Sequence, residues 1–235
     1  MTGHARGKRR FLIALCVLGA LLFAGLGVWQ VERLAWKLDL IARVDARVHA
    51  PAAAVPAAAW RTADARRDEY RHVRLRGTFL HDRATLVDAL TERGAGFWVV
   101  TPLRTSEGVV LVNRGFVPSK GTAVVGTSAE GPVTVTGLLR MTEPGGRFLR
   151  PNDPSHNRWF SRDVAAIAQA RGLGPVAPFF IDADAVPNPG GYPVGGLTVV
   201  TFRNAHLIYA MTWFGLAVLC LAGLVLVLRS RDTDA

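Results

Sequence analysis

A histidine and a tryptophan seven residues apart, His206 and Trp213, stand at the mouth of a long apolar run, in FRNAHLIYAMTWFGLA. Seven residues are two helical turns, so both side chains leave the same face, and Tyr209 and Ala210, three and four residues after His206, share it. A neutral imidazole is a good ligand for iron or copper, and haem iron is commonly held by a histidine. A nitrogen donor above a tryptophan at the edge of an apolar helix suits the clamping of a flat, apolar, metal-bearing ligand. The same residues also suit plain membrane anchoring, because aromatics gather at the membrane interface. Spacing alone leaves both readings open.

These residues belong to a run, Leu207 to Leu228, of 22 residues without a charge. At about 1.5 Å per residue such a run spans a hydrocarbon core of roughly 30 Å. A second run, the 18 residues from Phe11 to Val28, follows the basic segment MTGHARGKRR. It exceeds the usual apolar core of a signal peptide and no small-x-small site closes it, which predicts an uncleaved membrane helix. Basic residues flank both runs: Arg6, Lys8, Arg9, Arg10, Arg229 and Arg231. By the positive-inside rule both termini are cytoplasmic. The expected organisation is a cytoplasmic N-terminus (1–10), a first membrane helix (11–30), a periplasmic domain (31–205), a second membrane helix (206–228) and a cytoplasmic C-terminus (229–235).

The formal net charge of +10 invites a nucleic-acid reading. Its distribution argues against one: the remaining basic residues are scattered among acidic ones, with no basic stripe interleaved with aromatics. Both cysteines, Cys16 and Cys220, fall in the apolar runs. No disulfide framework or cysteine metal site can therefore be built in the middle of the chain.

The first helix is expected to continue past the membrane to about residue 48. Val31, Leu34, Leu38, Ile41, Val44 and Val48 recur at steps of three and four, and Pro51 and Pro56 end the pattern. The middle then reads mainly as strands. From Arg71, apolar Val73, Leu75 and Phe79 alternate with polar or charged His72, Arg74, Arg76 and Thr78. FWVVTPL (97–103) and VVLVNRGFV (109–117) are β-rich, joined by the hairpin loop Thr105 to Gly108. VTVTGLLRM (133–141), RFLRP (147–151), VAPFFID (176–182) and the closing YPVGGLTVV are further strands. Ser161 is positioned to cap a short helix through Asp163, Val164 and Ile167, with Gly172 as its stop. The fold class expected is an α+β membrane protein: two transmembrane helices flanking an antiparallel, partly closed, barrel-like extracytoplasmic sheet with a few helices.

The sequence carries none of the common catalytic motifs. No serine sits in a G-x-S-x-G turn, and neither H-E-x-x-H nor a phosphate-binding glycine loop is present. His49, His72, His81 and His156 read as isolated, solvated histidines. Asp182 and Asp184 read as a loop face rather than a cation site. Arg114, in Asn113-Arg114-Gly115, reads as structural, with Gly115 allowing a bend or bulge. What stands out is again the membrane mouth. Both helices meet the same side, so Trp29, Gln30 and Arg33 lie at nearly the depth of His206 and Tyr209. An apolar slot with one ligand and a basic rim suits a macrocycle whose carboxylates seek Arg33 or Arg203.

Four stretches carry a resemblance that covers nearly the whole chain: GVWQVERLAWKLDLI, VRLRGTF, LVNRGFVP and NAHLIYAMTWFGLA. Together they resemble the surfeit-locus family of cytochrome c oxidase assembly factors. The resemblance implies an inner-membrane protein needed for maturation of haem-copper oxidases, one that receives or holds haem a and is not an enzyme. It implies His206 as the haem-iron ligand and Trp213 as a support for binding. Trp29, Tyr209 and Arg33 complete the expected haem a site. The implied partners are the oxidase catalytic subunit, haem a synthase and membrane lipid. The competing expectation is a cofactor-free scaffold that clasps an oxidase subunit, its membrane helices serving only as a tether.

Overall fold

A computed structural model of the chain describes residues 3–125, 131–147, 149–198, 200, 202 and 204–230. The chain forms two compact units, one of residues 1–43 with 201–235 and the other of residues 44–200.

The first unit is a pair of helices, α1 (Gly3–Val48, whose last turn belongs to the second unit) and, at the far end of the chain, a helix over His206–Arg229. Both are long and apolar enough to cross a membrane. Their large side chains point outward: Leu18, Leu21, Leu22, Leu219 and Leu226 are all exposed by 60% or more. An apolar surface of that extent is what a lipid-facing helix presents. The continuation of α1 to Val48 agrees with the apolar periodicity, and Leu34, Ile41, Val44 and Val48 of that stripe are covered, whereas Val31 and Leu38 stand about half exposed. Beyond Val48 the chain bends through His49 and Ala50 into Pro51, whose ring cannot continue a helix.

The second unit is a β-barrel with appended helices. In chain order its elements are β1 (Ala53–Ala54), α2 (Ala57–Trp60), α3 (Ala65–Asp68), β2 (His72–Phe79), β3 (Thr85–Thr91), β4 (Gly94–Thr105), β5 (Val109–Val117), α4 (Lys120–Val125), β6 (Val133–Met141), β7 (Gly146–Arg147), β8 (Arg150–Pro151), α5 (Val164–Ala170) and β9 (Val176–Ala183). The C-terminal helix is then α6. The main sheet runs β1-β2-β6-β9-β5-β4-β3, and β2 also pairs with β4, which closes β2, β6, β9, β5 and β4 into a five-stranded barrel. Pairing is antiparallel except between β5 and β9 and between β1 and β2. Closure removes the exposed edges that an open sheet would present.

The barrel interior holds Val73, Leu75, Leu103, Val110, Val112, Leu139, Phe179 and Ile181, plugged by Trp60 of α2. A second core lies outside the wall, where α5 lays Val164 and Ile167 beside Leu111, Phe180 and Trp159. β5 is thus covered on both faces. That is why VVLVNRGFV reads as a near-continuous apolar run instead of an alternation.

Several expectations change here. RFLRP is not one strand. Its ends form the two-residue ladder of β7 and β8, with Arg147 opposite Arg150 and Leu149 at a left-handed φ of 59° between them; Phe148 lies outside the described residues. β3 was not expected, and YPVGGLTVV is not a strand. Its described part touches the sheet through one bridge, Val194 to Phe116, and Val199 lies outside the described residues. The helix over 164–170 exists, but Asp163 caps it, its side chain accepting from Ala166 N–H at 3.1 Å. Ser161 is occupied elsewhere, donating to Glu143 O at 2.7 Å. Gly172 does end the helix: its N–H bonds to Gln169 O and that of Leu173 to Ala168 O.

Candidate functional site

The two helices of the first unit run antiparallel and meet along a seam. On α1 the covered positions include Arg9, Ile13, Cys16, Ala20, Phe23, Gly27 and Gln30, and on α6 His206, Ala210, Trp213, Ala217, Cys220, Leu224 and Val227, with Gly19, Ala24, Leu26, Leu216 and Gly223 partly covered beside them. Both series alternate steps of four and three, the repeat of helices that pack at a small left-handed angle. The contacts fix the register. Arg9 donates to the carbonyls of Val227 and Leu228 at one end. In the middle the Phe23 and Trp213 rings stack, centroids 5.7 Å apart and planes 19° apart. The Phe214 ring lies where a Cβ on Gly27 would sit, within 2.6–2.8 Å of it. Small residues at such positions let helices approach closely where no hydrophobic force drives them together.

At the other end of the seam stands His206, the first residue of α6. Its Nδ1 lies 2.8 Å from Oε1 of Gln30, which is 8% exposed. Its backbone N–H donates to Asn204 Oδ1 at 3.3 Å. Among the described residues, no hydrogen-bond partner reaches its Nε2. Histidine that ligates a metal generally has its other ring nitrogen tied to an oxygen acceptor, and the His206–Gln30 pair has that form. Among the described residues no cluster of three or more His, Cys, Asp or Glu gathers.

The other expected site residues are placed differently from one another. Trp213 shares the His206 face, two turns deeper, but its ring is stacked on Phe23. Ala210 is buried between them, whereas Tyr209 turns outward, 55% exposed. Trp29 likewise lies off the seam, 53% exposed, so the residue that meets His206 from α1 is its neighbour Gln30. Arg33 sits over the Trp36 ring, 4.0 Å from its centroid. Arg203 lies outside the described residues. The cleft expected between the helices is filled by Phe23, Trp213 and Phe214. Gln30, expected at the depth of His206 but not among the haem-site residues, is the one that bonds it. The signal that finds it is a lone amide on the α1 seam, in step with Gly27 and Phe23.

The second unit contains a cavity of about 340 Å³ lined by Phe79, Arg114, Val135 and Asp184 among others. The Arg114 guanidinium stacks over Phe79 at 5.0 Å, and burial lowers its pKa. Asp184 accepts from His72 Nε2 at 2.8 Å, and His72 Nδ1 donates to Ala50 O at 2.9 Å. His72 is therefore not the solvated histidine expected, and the Asp184 bond raises its pKa against the opposing effect of burial. Asp182 is not a loop carboxylate either. It is buried between Arg140 (3.0 Å) and Arg162 (2.9 Å).

Comparison with known proteins adds a family. The model of the SURF1 family matches residues 17–218. The chain is similar to Surfeit locus protein 1 of Homo sapiens, 40% identical over 215 residues, covering 82% of this chain and 69% of that one. The Mus musculus protein of the same name is 40% identical over 213 residues, covering 82% and 67%. A SURF1-like protein of Monosiga brevicollis is 38% identical over 215 residues, covering 84% and 80%.

Proposed function

The chain belongs to the SURF1 family, and on that premise we propose that it is an assembly factor for a haem-copper cytochrome c oxidase, holding haem a for insertion into the catalytic subunit. In this proposal α1 and α6 cross the inner membrane, both termini are cytoplasmic and the barrel lies in the periplasm. The haem is cargo, so the protein acts by binding and release. His206 Nε2 supplies the iron ligand. Trp213 braces the helix beneath it through Phe23. Apolar contact comes from side chains left exposed near the mouth, Trp29 and Tyr209 among them, at roughly 25 cal/mol per Å² buried. Arg33 offers a cation to a carboxylate.

The observation that supports this most is the His206–Gln30 bond. It places a half-covered imidazole at the mouth of a membrane helix pair with its second nitrogen uncommitted among the described residues. The test is colour. After co-expression with the haem a synthesis enzymes, the purified protein is expected to show a Soret band that His206→Ala abolishes. A variant that keeps the band at unchanged stoichiometry removes His206 as the ligand.

The filled seam favours a second reading. With Phe23, Trp213 and Phe214 occupying the space between the helices, the pair can serve as a tether while the barrel clasps an oxidase subunit. A colourless protein that still co-purifies with the oxidase would select this scaffold.

A further inference from the structure

We propose that Gln30 sets the tautomer of His206 and so selects which ring nitrogen faces a metal; the proposal rests on the haem reading above and deepens it. In a neutral imidazole one nitrogen carries the proton and the other the lone pair, and the choice follows the hydrogen bond that is made. Gln30 Oε1 lies 2.8 Å from Nδ1. An amide oxygen only accepts, so Nδ1 carries the proton and donates it. The lone pair is left on Nε2, the nitrogen farther from the backbone. Free histidine in water prefers the opposite tautomer, with the proton on Nε2, which cannot bind a metal through that atom.

Placement makes Gln30 effective. It is 8% exposed, on a helix whose preceding 18-residue apolar run carries no charge. A buried amide in apolar surroundings costs free energy unless bonded, and His206 supplies the bond. The partners come from opposite ends of the chain, 176 residues apart, and meet because the seam register pairs position 30 with position 206. Gln30 is thus a positioning residue: it holds the imidazole plane and its protonation without touching the cargo.

The experiment uses the full chain, labelled with 15N-histidine, haem-free in detergent micelles, at mildly alkaline pH where imidazoles are neutral. Protonated and bare ring nitrogens resonate far apart, and His206→Ala assigns the signal. The wild-type protein is expected to show His206 protonated at Nδ1 and bare at Nε2. Gln30→Met, similar in length and without an acceptor oxygen, is expected to shift the population toward the Nε2–H form, whereas Gln30→Glu, which keeps an acceptor, retains Nδ1–H. A wild-type spectrum with Nε2 protonated overturns the proposal, and needs no variant to fold. So does a Gln30→Met spectrum identical to wild type. In protein loaded with haem, Gln30→Met is expected to weaken binding about 10–100-fold, the usual loss when the hydrogen-bond partner of a metal ligand is removed.

The two readings fail separately. If His206→Ala keeps its Soret band, the ligand assignment falls whatever the tautomer. If that band is lost but wild-type Nε2 carries the proton, only the role of Gln30 falls.

Discussion

Replacing Asp182 is the sharpest test of what holds the barrel together. Its carboxylate is 2% exposed and accepts three hydrogen bonds: from Asn113 Nδ2 at 2.7 Å, Arg162 at 2.9 Å and Arg140 at 3.0 Å. Each arginine also reaches a second carboxylate, Glu69 from Arg140 at 2.9 Å and Glu143 from Arg162 at 2.6 Å. The network thus counts three carboxylates against two guanidiniums. Asp182→Asn leaves it electrically balanced, so the loss is one of hydrogen bonds and not of an abandoned charge. Two charge-assisted bonds are weakened, each worth about 1.5–3 kcal/mol. The new amide also turns an N–H toward a donor. The expected destabilisation is about 3 kcal/mol. For a unit of this size that is a fall in melting temperature of about 6–12 °C.

Asp182→Leu removes every acceptor and strands the Asn113 amide as well, so it should cost more, near the roughly 3–5 kcal/mol for breaking a buried ion pair. The assay is thermal unfolding of the full chain in detergent, followed by circular dichroism at a wavelength where the sheet contributes. If Asp182→Asn melts within about 1 kcal/mol of wild type, the network does not stabilise the native barrel. The order also matters: if Asp182→Leu is the more stable of the two, burying the charge costs more than its bonds return.

The His72 clamp gives a pH dependence. Both ring nitrogens lie at acceptors, Ala50 O and Asp184, which favours the charged imidazolium, and the folded pKa is raised. The stabilisation is therefore whole below the unfolded value of about 6.5 and is lost as the pH rises through the folded value. Unfolding midpoints in urea should fall across that window, and His72→Gln should flatten the profile; an unchanged slope removes the clamp. Gly115→Ala should cost about 3 kcal/mol, because φ is +132° and a Cβ would lie 2.2 Å from Val194 O. Relief means parting Phe116 from Val194, which exchange two backbone bonds of 2.9 Å. Gly94→Ala, at φ +96° with nothing within 4 Å, carries strain alone and should cost about 1 kcal/mol. Equal melting temperatures for the two variants would refute the contact with Val194.

How much of this was legible depended on whether a local pattern or a distant partner decided the outcome. VVLVNRGFV and VTVTGLLRM became strands over the residues their β-branched runs occupy, because burial and propensity agree there. TLVDALT forms β3 with a weak sequence signal, because its inward residues are the modest Thr85, Val87 and Ala89 while Leu90 points out, 74% exposed. The alternation was present with its sizes reversed. YPVGGLTVV shows the opposite case: β-branched residues without a strand, since Gly195 and Gly196 lie against the backbone of residues 183–185 and leave no ladder to join. Ser161 and Asp163 are both competent caps, and tertiary demand from Glu143 and Asn152 took Ser161 away.

The same division runs through the candidate site. That His206 and Trp213 share a face follows from helical period and needs no partner. That His206 faces Gln30 and not Trp29 does not, because a turn of about 100° about the α1 axis, one residue's worth, exchanges one for the other. What chooses is volume. Phe214 needs the missing Cβ of Gly27, and Trp213 needs the Phe23 ring; with both satisfied, position 206 falls opposite position 30. That exchange would put Leu26 under the Phe214 ring in place of Gly27 and leave the Gln30 amide without the imidazole, in surroundings where an unbonded amide is costly. Packing and polar satisfaction thus select one register. His206 is aligned by residues one and two turns below it, Gly27 and Phe23 on α1 and Trp213 and Phe214 on α6.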